Sequence, residues 1–350
     1  MKAYLILFII MFSLQFINVK TDRAYLFRCL ITFLPFFLFG ALRIDCGDYD
    51  SYETFYEGTH SGGSYLWANE RMEVGFAFLN YIMPSYRALI VFTSLFISFA
   101  YAYFFYKIIP RKYTWLAIVF LFLSADKSIY FMLGAMRNSM AIAFLLLSVT
   151  FIYDRRYVMM ILSTLAASLF HMSAIIFFPI AYIVARNGQM KMAEFSIWLV
   201  VMLILIVTPV STLIEGVVPY VDIYMERYES YVEKSRDSGM LVTFGSVIMA
   251  LPALLYMFQN KGLTKEDNTI GRLALCFMYS YLLGSLNMRI SHYFVLFLLP
   301  FMVEFYANAK GKAYCVPYFA FCGLFLAYSF FVVSLNNINS PFILFKSIFG

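Results

Sequence analysis

Charge is what this sequence has least of. Only 13% of its 350 residues are Asp, Glu, Lys or Arg, where a soluble domain carries roughly 25%, and a water-soluble globule is excluded. Cysteine is scarce and poorly spaced for chemistry. The five, at positions 29, 46, 276, 315 and 322, form no CxxC pair and no Cys/His knuckle, so neither a disulfide framework nor a zinc site is signalled. They read as small buried hydrophobes. No GxxxxGK[ST] and no glycine-rich strand-to-helix loop is present, which argues against ATP-driven work. Without internal repeats, low-complexity tracts or a separate soluble stretch, residues 1–350 are read as a single membrane domain.

What the chain has in abundance is apolar surface: 63% hydrophobic and 20% aromatic residues, with a mean hydropathy of +0.78. Apolar runs lie near 3–19, 24–42, 87–106, 113–125, 132–153, 158–170, 172–185, 195–214, 241–258, 270–287, 291–308 and 314–335. Most are near the length that crosses a bilayer as a helix. The reading is an all-α polytopic membrane protein with about 12 transmembrane helices. The count falls to 10 if short runs such as 113–125, 158–170 and 172–185 are half-inserted or re-entrant. The first run exits through VKTDR rather than a small-residue cleavage site, and is read as a helix instead of a signal peptide.

The net charge of +6 is topological and predicts no nucleic-acid partner. Alternate connections carry Lys20 and Arg23; Lys107, Arg111 and Lys112; Arg155 and Arg156; Arg186 and Lys191; Lys261, Lys265 and Arg272; Lys310 and Lys312. The positive-inside rule places these in the cytoplasm. The complementary segments 43–86, 126–131, the turn at His171, 215–240 and 288–292 hold most of the acids and are expected outside, as are both termini. Two of them, 43–86 and 215–240, are outer loops longer than ordinary connections, a length that is commonly functional.

Ionisable groups at membrane depth are functional hypotheses by default, and five clusters stand out. After the second run, Arg43, Asp45, Asp48 and Tyr52 make either a solvated turn with Arg43 snorkelling or a pocket rim. In the second reading Arg43 grips a phosphate and the acids orient sugar hydroxyls. Asp48-Tyr49-Asp50 spells D-x-D, a pattern of oxygen ligands suited to a divalent metal, though three letters carry little weight. Arg137 sits among Gly134, Ala135, Ala141 and Ala143, which leave room for an inward-facing anion ligand. His171 joins two short apolar segments with Ser173 two residues on. It is either a buried structural histidine or a base that accepts a proton near neutral pH. Asn287 to Tyr293, holding Arg289 and His292, is read as an outer turn with Arg289 at a cavity mouth. Arg227 and Tyr228 lie in an outer segment, 225–233, that reads as an interfacial amphipathic helix or a polar loop. Arginines set among carboxylates, a histidine and tyrosines suit a strongly anionic group with a polyhydroxylated partner. A lipid diphosphate sugar has that chemistry.

The order Arg43…Gly47-Asp48…Tyr52, Arg137…Ala141, His171-Met172-Ser173-Ala174, Arg227-Tyr228 and Arg289 with Tyr293 resembles the EpsG family of Wzy-like bacterial polysaccharide polymerases over most of the chain. The resemblance implies a GT-C-like membrane glycosyltransferase of the bacterial inner membrane. It would join undecaprenyl-diphosphate-linked oligosaccharide units, donor and acceptor both lipid-borne, at the periplasmic or outer face to build O-antigen, capsule or exopolysaccharide. It implies no metal and no cofactor; membrane lipids and a chain-length regulator are candidate partners. In this reading Arg137 and Arg289, with Arg43 or Arg227, stabilise the departing diphosphate. Tyr52, Tyr228, His292 and Tyr293 complete the binding surface, and His171, Asp45, Asp48 or Glu73 activates the acceptor hydroxyl. Direct displacement predicts inversion at the anomeric carbon. The main rival is a lipid-linked oligosaccharide flippase or another polytopic transporter; an acyltransferase using His171 and a metal-dependent transferase using Asp48 and Asp50 are further ones. Transporters usually show paired repeats and charges near the midplane, whereas the charges here gather at one face.

Overall fold

A computed structural model describes residues 2–45, 48–61, 72–125, 128–129, 134–177, 188–207, 240–260, 262–282, 287–309, 311–336 and 346–347. Among the described residues the protein is all-α apart from one short strand pair. Thirteen α-helices are present: α1 (Lys2–Ser13), α2 (Asp22–Ala41), α3 (Tyr49–His60), α4 (Val74–Ile82), α5 (Tyr86–Ile108), α6 (Thr114–Leu123), α7 (Met136–Tyr153), α8 (Tyr157–Phe170), α9 (Met192–Val207), α10 (Met240–Gln259), α11 (Lys265–Ser280), α12 (Asn287–Ala309) and α13 (Cys315–Asn336). The strands are β1 (Arg43–Asp45) and β2 (Lys346–Ser347), paired antiparallel with Arg43 opposite Ser347.

Local chemistry starts these helices where they start. Thr21 Oγ1 accepts the Ala24 N–H at 3.2 Å to open α2, and Ser85 Oγ accepts the Ala88 N–H at 3.1 Å to open α5. Thr264 and Asp267 form a reciprocal capping box at α11. Four stretches, α2, α5, α7 and Ser291–Ala309 of α12, are long and apolar enough to cross a membrane, and five shorter apolar helices accompany them. Large apolar side chains stay exposed on them, such as Phe27 and Leu34 on α2 and Leu95 and Phe99 on α5. That pattern suits lipid contact. The expectation of an all-α membrane protein is met, and among the described residues an α-helix of the structure overlaps eleven of the twelve apolar runs. Crossings by length and composition number four among the described residues. The run 172–185 opens instead as a 3-10 turn, Met172–Ile176.

The chain divides into two compact units, Met1–Ile180 with Leu326–Gly350, and Ala181–Phe325, so that α13 contributes to both. In the first unit α2 packs on α5, α5 on α7 and α7 on α8, while α4 lies against α8 and α3 against α4 and α5. Its core is aromatic: Phe33 meets Phe105 at 4.9 Å and Phe36 meets Tyr101 at 5.4 Å between ring centroids. Polar and charged groups gather at the two ends of these helices. Lys107 reaches Asp154 at 3.1 Å, and Arg111 pairs with Asp22 at one end. At the other, Arg87 Nη1 donates to the Arg43 carbonyl at 2.6 Å, and the Asp48 N–H to that of Gly134 at 3.1 Å.

The second unit is built from α9, α10, α11 and α12, and it corrects two expectations. Arg272, counted among the cytoplasmic loop cations, is 1% exposed inside α11. Its Nε and Nη2 grip both oxygens of Glu194 at 2.5 and 2.8 Å, and Nη2 also reaches the Gly188 carbonyl at 2.8 Å. Residues 287–293, expected as an outer turn, are helical because α12 already starts at Asn287, and His292 and Tyr293 are buried. In the first unit the long outer segment 43–86 is likewise no plain loop, since it holds β1, α3 and α4.

Candidate functional site

The polar end of the first unit is assembled from the starts of α4, α5 and α7, the end of α8, and α3 lying across them. Arg137 is the second residue of α7, which opens at Ala135 with no side-chain cap. Tyr52, on the buried face of α3, takes the place of that cap: its hydroxyl interacts with both the backbone N–H and the guanidinium of Arg137. The guanidinium carbon lies 6.0 Å from the Tyr52 ring centroid.

Glu73 immediately precedes α4, and its Oε2 accepts from Arg137 Nη1 at 2.7 Å. Its Oε1 accepts a longer bond, 3.4 Å, from the Met172 N–H. A carboxylate beside the free N–H groups that open α7 is also favoured by the helix dipole. Burial alone would raise the Glu73 pKa, but the Arg137 guanidinium, with a smaller contribution from His171, more than offsets it and holds the carboxyl below the ordinary glutamate range.

His171 ends α8 in an extended conformation, with φ −152° and ψ 109°, and its Nδ1 lies 2.8 Å from Ser173 Oγ. The contact of Glu73 with this turn depends on a close approach of α4 to α8. A Cβ at Gly75 would sit 2.8 Å from the Leu169 carbonyl oxygen and 3.0 Å from Leu169 Cβ, so the helix backbones touch there.

Around this centre stand the other residues of the same end. Asp48 is exposed, yet desolvation of its carboxyl raises its pKa, with Arg137 acting in the opposite sense. Arg43 is buried, and its charge is felt by Tyr49 and Tyr86. Those two rings meet edge to face at 5.1 Å, and the Tyr86 hydroxyl donates to the Tyr49 carbonyl at 2.7 Å.

The structure therefore joins Arg137, Glu73 and Tyr52, brings the backbone of the 171–173 turn against Glu73, and places Asp48 and Arg43 at the same end. Asp45 contributes backbone to β1 opposite Lys346. His292, Tyr293 and Arg289 belong to the second unit, on the first turns of α12, and the side chains of Asp45 and Arg289 lie outside the described set. So do Arg227 and Tyr228 as whole residues. Sequence reasoning missed Arg87 and Gly75. A cation just inside the Ser85 cap was a readable signal for Arg87; the need for glycine at position 75 arises only from packing. A cavity of about 240 Å³ lined by Gln189, Met190 and Met257–Asn260 lies in the second unit and includes none of the candidate residues.

Arg137 is the chemically versatile member. A guanidinium has five N–H donors, and among the described residues this one serves Glu73 and Tyr52, while its Nε finds no acceptor. Planar guanidinium donors of this kind suit carboxylate and phosphate oxygens alike. Among the described residues no group of three or more His, Cys, Asp or Glu is placed to hold a metal ion.

The sequence profile of the EpsG family matches residues 24–347, nearly the whole chain. No curated protein and no solved structure matches the chain.

Proposed function

The chain belongs to the EpsG family, which is related to the Wzy-like polysaccharide polymerases, and on that premise we propose that it is an inverting, metal-independent glycosyltransferase of the bacterial inner membrane. It joins undecaprenyl-diphosphate-linked oligosaccharide units at the outer face, in a GT-C-like bundle of 10 to 12 crossings. The observation that carries this reading is the Arg137 site: a partly exposed guanidinium, already holding one carboxylate at 2.7 Å, beside a histidine at the same helix ends.

The growing chain is the donor. A hydroxyl of the incoming unit attacks the anomeric carbon, the bond to the diphosphate oxygen breaks, and the lipid diphosphate leaves with the electron pair. Arg137 stabilises the charge that gathers on it; a donor of this kind contributes on the order of 10²–10³ in turnover. His171 takes the proton from the attacking hydroxyl. Glu73 suits that role less, because Arg137 has lowered its basicity. Asp48, whose pKa is raised, orients sugar hydroxyls, and Tyr52 keeps the guanidinium aligned. Arg43 and Asp45, at the same end of the first unit, belong to the donor and acceptor surfaces in this proposal. Scission of the phosphosugar bond drives the reaction, so no nucleotide is consumed.

The deciding experiment supplies purified protein with lipid diphosphate-linked repeat units and resolves the glycans by length. A ladder from the unaltered protein, and none from a folded Arg137→Ala variant, is the expected result. Units moved across vesicle membranes without being joined would instead identify a flippase.

A further inference from the structure

We propose that Glu73 is a placeholder anion, seated on Arg137 when the site is empty and displaced by the phosphate oxygens of an incoming diphosphate. The inference rests on the diphosphate reading above and deepens it. Three observations carry it.

The first is the contrast between the two arginine–glutamate pairs of the described structure. In the second unit both oxygens of Glu194 are taken by an arginine that is 1% exposed and that has a backbone carbonyl as further acceptor. That pair is closed to solvent on the arginine side. Arg137 and Glu73 keep 31% and 21% of their side-chain surface, and only Oε2 is held closely. The other oxygen has the 3.4 Å contact with the Met172 N–H, at the long edge of hydrogen-bond geometry. A carboxylate attached at one oxygen and partly exposed can leave.

The second is that Arg137 does not depend on Glu73 for its position. It lies in the first turn of α7, and Tyr52 interacts with its backbone N–H and its guanidinium. When the carboxylate moves off, the guanidinium stays where it is. The third is the chemistry of the exchange. Phosphate oxygens and a carboxylate compete for the same planar donors, and a diphosphate brings more charge and more acceptors to them. Once released, the Glu73 charge is left to His171, with which it already interacts. The imidazolium formed in glycosyl transfer then has a counter-ion, and after transfer Glu73 returns to Arg137 as the lipid diphosphate departs. Glu73 is thus a positioning residue that sets how tightly the diphosphate is held and how readily it leaves.

The test is direct binding of inorganic pyrophosphate to the full-length protein in lipid nanodiscs by titration calorimetry, in magnesium-free buffer. Glu73→Gln keeps the shape and removes the competing charge; it is expected to bind pyrophosphate about 10-fold more tightly than the unaltered protein. Arg137→Gln is expected to lose binding. Glu73→Asp, which withdraws the carboxylate by one methylene, gives an intermediate affinity, and it serves as the readout should the glutamine variant not fold. Weaker or unchanged binding by Glu73→Gln, or by Glu73→Asp in that case, means that Glu73 holds Arg137 in place, and overturns the proposal. Absence of pyrophosphate binding by the unaltered protein and both Glu73 variants at millimolar concentration overturns it as well, together with the anion site. The two readings fail separately: tighter binding by Glu73→Gln without a glycan ladder retains the placeholder and removes the polymerase. A ladder with unchanged binding does the reverse.

Discussion

Two arginines, one at each end of the first unit, differ in the acceptors that hold them, and the difference bears on which of them can serve the proposed chemistry. Arg28 of α2 gives Nη1 to the carbonyls of Gln15 and Ile17 at 3.1 and 2.9 Å, and Nη2 to the Arg111 carbonyl and Thr114 Oγ1 at 2.9 and 3.0 Å. All four acceptors are neutral, three are backbone, and together they tie the turn after α1 to the start of α6. Arg137 has a carboxylate and a phenol instead. Each leaves its Nε without an acceptor among the described residues, so that feature distinguishes nothing. The difference lies in whether the acceptors can leave. Backbone carbonyls fixed in a turn cannot; a partly exposed carboxylate can.

The sharpest break of this comparison is the pair of alanine variants. Arg28→Ala removes the arginine donor from four acceptors in a site where it is only 6% exposed; the Arg111 carbonyl keeps the Thr114 hydroxyl at 3.2 Å, and each buried group left unsatisfied costs about 1–3 kcal/mol. The expected outcome is loss of monodisperse folded protein in size-exclusion chromatography. Arg137→Ala should elute and melt close to the unaltered protein while polymerisation falls at least about 10²-fold. The reverse pattern, Arg28→Ala folded and inactive or Arg137→Ala unfolded, would dissolve the distinction.

Gly75→Ala asks whether the proposed site needs the backbone contact of α4 with α8. The added methyl meets a carbonyl oxygen at 2.8 Å, and backbone must move to admit it. Overpacking of this kind costs about 1–3 kcal/mol. Because Gly75 is two residues from Glu73, and Leu169 two from His171, the displacement falls on the site. We expect turnover to fall roughly 10-fold, a barrier increase near 1.4 kcal/mol, with a lower melting temperature. Normal turnover would show that the Glu73 contact with the 171–173 turn is dispensable.

A smaller effect should appear in the pH dependence of stability. Glu73 is held below its ordinary value in the folded protein, so its pairing stabilises the fold in full above the unfolded pKa, near 4.5. That contribution is lost as pH falls through the lower folded pKa. Glu73→Gln should therefore flatten the difference in melting temperature between pH 6 and pH 4 relative to the unaltered protein. An identical acid slope in the two proteins would remove the ion pair from the energetics of this end of the unit.

How much of this was legible follows from what local pattern can carry. Continuous apolar runs locate the helices because a bilayer leaves backbone groups no partner outside the helix. Helix α3 is passed over when 43–86 is read as a loop, although Tyr52, Phe55, Tyr56 and Thr59 stand at helical spacing and are buried. The nine residues of α4 are too short to announce a crossing. Asn287–Tyr293 and Arg272 misled for one reason: polar letters suggest solvent, whereas the fold buries His292, Tyr293 and Arg272, the last against a glutamate 78 positions away. At the site, Arg137, His171, Glu73 and Tyr52 were each nameable from charge and depth. Their connection was not, because Arg137 meets Glu73 across 64 positions and Met172 meets it across 99, separations that periodicity does not encode.

The smallest expected effect comes from the ion pair at the opposite end. Lys107 Nζ lies 3.1 Å from both oxygens of Asp154, with side-chain exposures of 30% and 28%, close in geometry to Arg137–Glu73. Surface pairs of this kind contribute about 0.2–1 kcal/mol and are screened by salt. Lys107→Ala should shift the melting temperature by about 1–2 °C, with the shift shrinking at high ionic strength, and leave glycan ladders unchanged. Two pairs of similar length and exposure would then differ in consequence because one lies at the start of α7 against the 171–173 turn, while the other links the last turn of α5 to the residue that follows α7. Should Lys107→Ala shorten the ladders as Arg137→Ala does, similar geometry would mean similar function, and the division of the unit into a structural end and a chemical end would fail.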